Sequence, residues 1–267
     1  MSKKIFFAVA FAALALAQGA KAQTNLQTFY DFGKGRDHFT TTLEGFYGDK
    51  WGNTFFFVDY DYNNRDNDDK VFSPNGTYFE IARCFNFWQD SSIGALSLQV
   101  EYNGGVYHNV NAVPNGYTIN NAFLFGVDYF LHNSDFSNTF NFKVLYKNIN
   151  YAGALNLDGK KRSSALPLQL TFVWGMQDIF GVKGLRFSGF ADFWGESHTL
   201  YSDNKGDSMT PEDSDFVFIS EPQLWYNIGQ HFGVENLHIG TEVELSYDFG
   251  TCKGFWVRPC LGTKWVF

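Results

Sequence analysis

Acidic side chains alternate with aromatic rings in several short segments of this sequence. In the segment 54–62, Phe55, Phe57 and Asp59 share one face if the chain is extended. A flat ring stacks on a planar solute, and a carboxylate accepts hydrogen bonds from the solute's hydroxyl groups. Repeated pairing of the two favours a polar lumen, which can hold rings and acids together, over a water-facing surface, which has little use for so many rings.

Motifs for catalysis and for metal or cofactor binding are missing from the sequence after residue 22. It contains no GxSxG nucleophile turn, no phosphate-binding glycine loop and no CxxC pair. The six histidines show neither HExxH nor HxxxH spacing, so we expect no metal and no cofactor. Two local pairs resemble part of a hydrolase site, namely Asp37 with His38 and Ser197 with His198.

Extended strands must position the acids and rings, because period-two alternation recurs along the chain. The clearest segments are 54–62, 96–103, 140–147, 166–174 and 237–248. Less regular candidates are 26–33, 38–47, 77–87, 121–130, 184–194, 216–227 and 254–267. Polar stretches separate these twelve segments, and we expect 202–214 to be an exposed loop, the longest acidic, glycine-containing connection. No linker or composition break divides the chain, so we predict one all-β domain.

The first 22 residues have the pattern of a secretory signal peptide. Lys3 and Lys4 precede the apolar run 5–17, and Ala20-Lys21-Ala22 supplies a small-x-small cleavage site. The alternative is an N-terminal anchor, but the apolar run is shorter than the ~20 residues that a spanning helix needs. We expect residues 1–22 to be removed and residues 23–267 to form the exported domain.

The composition restricts which folds and which partners are possible. The chain has 28 acidic residues against 20 Lys and Arg, so it offers no basic surface for a nucleic acid. Aromatic residues make up 19% of the chain, and Tyr, Phe and Trp collect near strand ends, as at a bilayer interface. A soluble β-sandwich would alternate too, but its water-facing side has little use for so many rings. We therefore predict a single antiparallel up-and-down transmembrane β-barrel of about 12 strands.

Several segments, in this order, also carry a family resemblance. They are Tyr30-Asp31-Phe32-Gly33, Phe39–Glu44 (FTTTLE), Phe55–Tyr62 (FFFVDYDY), Tyr78–Ala82 (YFEIA), Leu185–Gly195 (LRFSGFADFWG) and the closing strand to Phe267. On these segments the chain resembles the Tsx-type nucleoside-specific channel-forming outer-membrane proteins, and most closely a divergent branch found in Bacteroidetes. One departure is Arg83, which falls in the outward phase of its strand and indicates a bulge or a different register there.

The resemblance implies a monomeric, twelve-stranded channel in the bacterial outer membrane, with nucleosides or similar small polar solutes as its cargo. It also implies that the terminal Phe267 is a signal for the barrel-assembly machinery. Inward rings are expected to stack on the base, and inward charged groups to bind the ribose. The lumen residues so predicted are Glu44, Phe55, Phe57, Asp59, Glu80, Arg186, Phe190, Trp194, Glu242, Glu244, Trp256 and Arg258.

Other functions fit parts of the same pattern. The inward charged groups can pair across the lumen and brace the barrel, and the inward rings can serve packing alone. The barrel can be structural or adhesive and bind a partner through 202–214, or it can be a hydrolase with its site at the rim. A channel for fatty acids would need an apolar lumen, and the inward acids disfavour it.

Three cysteines, Cys84, Cys252 and Cys260, allow at most one intramolecular disulfide. If Cys252 and Cys260 lie on one extended segment they are about 26 Å apart and do not pair. Export permits a disulfide without requiring one.

Overall fold

The computed structural model describes residues 22–34, 36–62, 74–107 and 117–267, which are almost entirely β-structure. The strands are β1 Ala22–Asp31, β2 His38–Asp49, β3 Gly52–Tyr62, β4 Pro74–Phe85, β5 Leu96–Tyr107, β6 Tyr117–His132, β7 Asn138–Ile149, β8 Leu168–Gln177, β9 Leu185–Ser202, β10 Ser208–Ser220, β11 Gln223–Tyr226, β12 Leu237–Tyr247 and β13 Phe255–Val266. Two short 3-10 turns complete the described part, in which no helix is long and apolar enough to span a bilayer. The predicted signal peptide, apart from Ala22, lies outside these ranges.

The strands form one closed antiparallel barrel. Each strand pairs with its neighbour in sequence, except that β10 and β11 do not pair with each other, and the first strand pairs with the last, from Asn25 opposite Val266 to Asp31 opposite Cys260. Closure matters because every edge N–H and C=O then has a partner, as a hydrocarbon environment requires. The prediction of an all-β barrel with about twelve strands is therefore confirmed.

The thirteen strands occupy only twelve positions around the barrel wall, because β10 and β11 lie end to end in one position. We call each of these twelve positions a stave. Both β10 and β11 pair with β9 on one side and with β12 on the other. The break falls at Glu221 and Pro222, and proline has no N–H to donate to the ladder. The predicted segment 216–227 is thus one stave interrupted once.

Side chains alternate between an apolar outer face and a largely polar inner face. In β13, Val257, Leu261 and Trp265 are exposed on the outside, whereas Arg258 and Lys264 between them are buried inside. Outward Val, Leu, Ile and Phe side chains recur around the barrel and form the apolar band that lipid covers in transmembrane barrels. Period-two alternation in the sequence is the direct cause of this two-faced wall.

Two local predictions were wrong. The segment 202–214 is mostly not a loop, because β9 and β10 continue as a hairpin in which Thr199 pairs with Asp213, and only 203–207 form the turn. The sequence shows no period-two alternation of apolar and polar residues here, because this polar stretch has no apolar face. Backbone N–H groups of Lys205 and Asp207 donate to Asp203 in this turn and lower the pKa of its carboxyl group.

The second error concerns Arg83, at which the pairing of β3 with β4 continues without a bulge. The side chain does face outward, near the end of the strand. There it donates two hydrogen bonds of 2.9 Å to the Asp49 carboxylate and one of 3.1 Å to Thr54. A charge at the end of an outward face can reach the polar interface, so no change of register is needed.

The barrel has two different rims. At one rim lie Ala22, the C-terminal Phe267 and five turns, between β2 and β3, β4 and β5, β6 and β7, β8 and β9, and β11 and β12. We call it the turn rim. The opposite rim, here the loop rim, carries the longer connections, including 150–167. Short turns face the periplasm and long loops face outward in barrels of this architecture.

Candidate functional site

All twelve predicted lumen residues lie on the inner face, but they fall into two groups by exposure. Four are buried in packed side chains: Trp194 (8% exposed), Glu244 (4%), Trp256 (5%) and Arg258 (8%). Eight keep intermediate exposure to the interior, and they are Glu44, Phe55, Phe57, Asp59, Glu80, Arg186, Phe190 and Glu242. Only this second group can touch a solute without rearrangement.

Glu244 is held inside a network of ion pairs. Arg258 Nη1 donates to Glu244 Oε1 at 2.7 Å, and Ser246 donates to the same oxygen at 2.7 Å. Arg36 reaches in from the loop rim, pairs with Glu244, and donates to Asp31 Oδ2 at 2.7 Å. With its oxygens occupied, Glu244 braces β12 against β13 and the β1–β2 connection.

Three interior tryptophans each have a cation against the ring. Lys147 Nζ lies 4.0 Å from the ring centroid of Trp194, and the Arg258 guanidinium carbon lies 4.6 Å from that of Trp256. The third pair is Lys264 with Trp225, at 4.1 Å. Cation–π contact of this kind stabilises a desolvated cation. It also occupies the ring faces, so these tryptophans are packing groups in this structure.

Trp225 is a major interior residue that sequence reasoning missed. It is fully buried, packs on Phe29 at 5.5 Å between ring centroids, and lies over Gly240, while Phe29 lies over Gly262. A Cβ atom at Gly240 would come within 2.4 Å of the Trp225 ring, and one at Gly262 within 2.5 Å of Phe29. The two glycines in strands β12 and β13 were the available signal, since glycine inside a strand often marks a close approach.

One part of the interior is filled by buried side chains, and we call it the packed sector. Its residues are Phe29, Trp194, Trp225, Glu244, Ser246, Trp256 and Arg258. Apart from Trp194, these residues lie on strands β1, β11, β12 and β13. Their side chains fill the space inside this part of the wall. A solute path must run elsewhere.

The accessible sector lies on β2, β3 and β4. Phe55, Phe57 and Tyr78 form a row of rings with centroids 6.0 and 5.8 Å apart. Two carboxylates adjoin this row: Asp59 accepts a hydrogen bond of 2.5 Å from Thr42, and Glu80 accepts one of 2.6 Å from Tyr78. Each carboxylate has a second oxygen that these hydrogen bonds leave unused.

A second accessible surface lies across the barrel on β9, which is six staves from β3. It carries Phe190, Asp192 and Arg186, all partly exposed to the interior. Rings and charged groups on the accessible sector therefore face rings and charged groups on β9 across the interior. Such a pair of opposed surfaces can guide a flat, polar solute that contacts both.

Charge is unevenly distributed around the wall. The inner faces of β2 to β6 carry acids and no lysine or arginine within the described residues. These acids are Glu44, Asp59, Asp61, Glu80, Glu101 and Asp128. Across the barrel, β7 and β9 supply Lys143, Lys147 and Arg186. The field between the two walls favours dipolar solutes, and the surplus of acids disfavours anions.

The two candidate histidines are not arranged as a hydrolase site. His198 has its Nδ1 and Nε2 atoms 3.1 and 2.7 Å from the backbone oxygens of Glu196 and Asp248, while Ser197 Oγ donates to Asn156 at 2.9 Å. These contacts tie the β9–β10 hairpin to its neighbouring loops. At His38, Nε2 lies 4.0 Å from an oxygen of Asp61.

Metal and disulfide chemistry are equally absent from the part of the chain that the structure describes. It contains no cluster of three or more His, Cys, Asp or Glu side chains with the geometry of a metal site. Cys84, Cys252 and Cys260 are all free thiols, and the first and last are buried.

The closed twelve-stave wall with an apolar outside and a polar, charged inside has the architecture of transmembrane β-barrels. Residues 22–267 match the family described as "Domain of unknown function (DUF5020)", and the chain belongs to this family. No curated protein sequence matches the chain.

Solved structures show the same architecture. The chain is similar to the NanC porin, with a TM-score of 0.55 and 9% identity over 91% of this chain and 98% of that one. It also matches the KdgM porin, with a TM-score of 0.45 and 10% identity over 92% and 99% of the two chains. The NanC porin is not described as a Tsx-type channel, so the narrower resemblance gains no support.

Proposed function

We propose that this protein is a passive channel of the bacterial outer membrane for small polar solutes. The observation that carries the proposal is the accessible sector, where a row of rings and the unused oxygens of Asp59 and Glu80 face Phe190 and Arg186 across the interior of a closed barrel. The similarity to porins supports it at the level of the fold. A single chain closes the barrel, so no second chain is needed to complete the wall, and the channel we propose is a monomer.

Nucleosides are the cargo that this chemistry fits best. The row Phe55, Phe57 and Tyr78 offers flat faces for a base, at ~1–3 kcal/mol per stacked base. Asp59 and Glu80 beside that row accept hydrogen bonds from ribose hydroxyl groups. The acidic wall repels phosphate, so nucleosides should pass in preference to nucleotides. Binding spread over several weak contacts lets the solute leave again.

The test is uptake into liposomes that contain the pure protein. Adenosine and thymidine should enter several times faster than into protein-free liposomes, and their monophosphates should enter more slowly than the nucleosides. A folded barrel, shown by its heat-dependent mobility on a gel, is the required control. Absence of nucleoside flux through a folded barrel would contradict the nucleoside assignment, and absence of any small-solute flux would contradict the channel.

A structural or adhesive barrel is the second candidate, favoured by the β9–β10 hairpin, which carries a row of exposed polar residues at 204–208 and 210–213. Replacing 203–207 with a two-residue turn should then abolish adhesion while nucleoside flux and conductance stay unchanged. If flux falls instead, the hairpin belongs to the conducting path.

A further inference from the structure

The β9–β10 hairpin leans over the opening of the barrel at the loop rim. A Cβ atom added at Gly206, in the turn of the hairpin, would lie 3.5 Å from the ring of Trp256 on the inner face of β13. The same atom would lie 3.6 Å from Lys34, in the connection between β1 and β2. The hairpin rises from β9 and β10, so its turn reaches across β12 to the strands beyond. We call the segment 196–214 the lid.

The connection between β12 and β13, residues 248–254, is the surface on which the lid rests. Two backbone hydrogen bonds of 2.8 Å join it to β9, and Lys253 forms an ion pair with Glu212 on β10. Phe249 of the same connection reaches into the barrel and packs edge-on against Trp194, with 6.4 Å between the ring centroids. The lid and this connection therefore close part of the opening together.

His198 joins the lid to the connection beneath it. It lies on the inner face of β9 and is buried, with 6% of its surface exposed. Its Nε2 atom is 2.7 Å from the backbone oxygen of Asp248, and its Nδ1 atom is 3.1 Å from the backbone oxygen of Glu196. Both ring nitrogens thus face a carbonyl oxygen, which can only accept a hydrogen bond.

This pair of contacts is complete only when the imidazole is protonated. A neutral imidazole has one N–H group and serves one of the two oxygens, whereas an imidazolium donates through both nitrogens. Hydrogen bonds from a charged donor are also about twice as strong as those between neutral groups. The contact with Asp248 ties the lid to the β12–β13 connection, so the strength of this tie depends on the charge of His198.

The elements packed around His198 carry more negative than positive charge. The positive groups are Lys253 on the β12–β13 connection and Arg162, which contacts the other face of the lid at Thr199. The acidic and neutral titratable groups on these elements are Tyr151, Glu196, Glu212, Asp213, Asp215, Asp248 and Cys252. An imidazolium at position 198 therefore meets a surplus of acids.

We propose that His198 is a proton-controlled latch, which holds the lid over the opening when it is protonated and releases the lid when it loses its proton. Histidine is the side chain whose charge ordinarily changes between about pH 5 and 8. Because only the imidazolium satisfies both oxygens, the lid is shut at the acidic end of this range and released at the alkaline end. The movement of the lid is independent of the proposed channel, whereas its effect on flux rests on it.

The first test reports the position of the lid without using transport. Lys205→Cys in a Cys252→Ser background places one accessible thiol in the turn of the lid, because the remaining Cys84 and Cys260 are buried. The thiol is labelled with bimane, which tryptophan quenches at contact distance, and Trp256 lies beside this turn. Emission of the folded protein in lipid vesicles is recorded at pH 5 and at pH 8.

We expect the emission to rise at least twofold from pH 5 to pH 8, because the released lid carries the label away from Trp256. His198→Gln, which keeps an uncharged hydrogen-bonding side chain, should remove this rise. Trp256→Phe should give high emission at both pH values. No rise in the labelled parent protein, a rise of the same size with His198→Gln, or one that persists with Trp256→Phe would overturn the latch.

The second test separates the latch from the channel. In planar bilayers the current should be smaller at pH 5 than at pH 8, and His198→Gln should reduce this difference. Other groups of the interior respond to pH as well, so the readout is the comparison of the two proteins. A lid that moves in a protein without any current would contradict the channel and leave the latch intact. A lid that moves while His198→Gln leaves the pH dependence of the current unchanged would overturn its control of the opening.

Discussion

The packed and accessible sectors of the interior differ in what their polar groups are bound to. In the packed sector Glu244 is saturated by Arg36, Arg258 and Ser246. In the accessible sector Asp59 and Glu80 each have one short hydrogen bond to a neighbouring hydroxyl group and an oxygen left for a solute. The same residue types are thus held in ion pairs on one wall and keep unused oxygens on another, where we propose that they recognise the solute.

The largest expected effect comes from removing the charge at the centre of the packed sector. Glu244→Gln leaves Arg258 buried without its partner, which costs about 3–5 kcal/mol in stability. Urea unfolding in lipid vesicles measures this loss. Glu80→Gln is the matched control in the accessible sector and should change stability far less. Equal losses from the two variants would remove the distinction between the sectors.

Adding a side chain to the packed sector should reduce the stability of the protein by less than Glu244→Gln does. Gly262→Val places a side chain on Phe29, and forced insertion into a packed interior costs about 1–3 kcal/mol. The control is Gly48→Ala, because a Cβ atom at Gly48 meets nothing within 4 Å. Unfolding curves of the two proteins are compared directly. A Gly262 variant as stable as the control would show that Trp225 and Phe29 are loosely held.

In the accessible sector the leading effect is on transport. Phe57→Ala removes the central ring of the row and should weaken saturable nucleoside binding by ~1 kcal/mol, the lower end of base stacking. The half-saturating concentration of adenosine flux reports it, while unfolding changes little. Phe56→Ala, on the outer face of the same strand, is the control for loss of a ring. Equal effects on flux would contradict a stacking role for Phe57.

Ion selectivity should shift by the smallest amount. The double change Asp59→Asn and Glu80→Gln removes two carboxyl groups from the accessible sector, and one ionised carboxylate screened by water is worth about 1 kcal/mol or less to a cation a few ångströms away. The permeability ratio of potassium to chloride, from the reversal potential in a salt gradient, should fall by roughly threefold. Glu101→Gln, a buried acid, should leave the ratio nearly unchanged. Added salt should reduce the difference by screening.

Much of the architecture was predictable because alternation is a local signal. All twelve predicted segments overlap a stave of the barrel, and all twelve candidate lumen residues lie on the inner face. The division between accessible and packed residues was not predictable. It depends on contacts between residues far apart in sequence, such as Arg36 with Glu244, or Phe29 with the surface of Gly262.

The errors also have a physical origin. Outside the bilayer the β9–β10 hairpin needs no apolar face, so its polar strands in 202–214 resembled a loop.

Chemical access to the interior tests the division into two sectors most directly. In a Cys252→Ser background, Asp59→Cys places a thiol in the accessible sector, and Ser246→Cys places a nearly isosteric one at a fully buried position. A small, water-soluble methanethiosulfonate reagent is added to the folded protein in a planar bilayer while the current is recorded. We predict that it modifies the thiol at 59 and reduces the current, and that the thiol at 246 does not react. Reaction at 246 as fast as at 59, or no reaction at 59, would contradict the account.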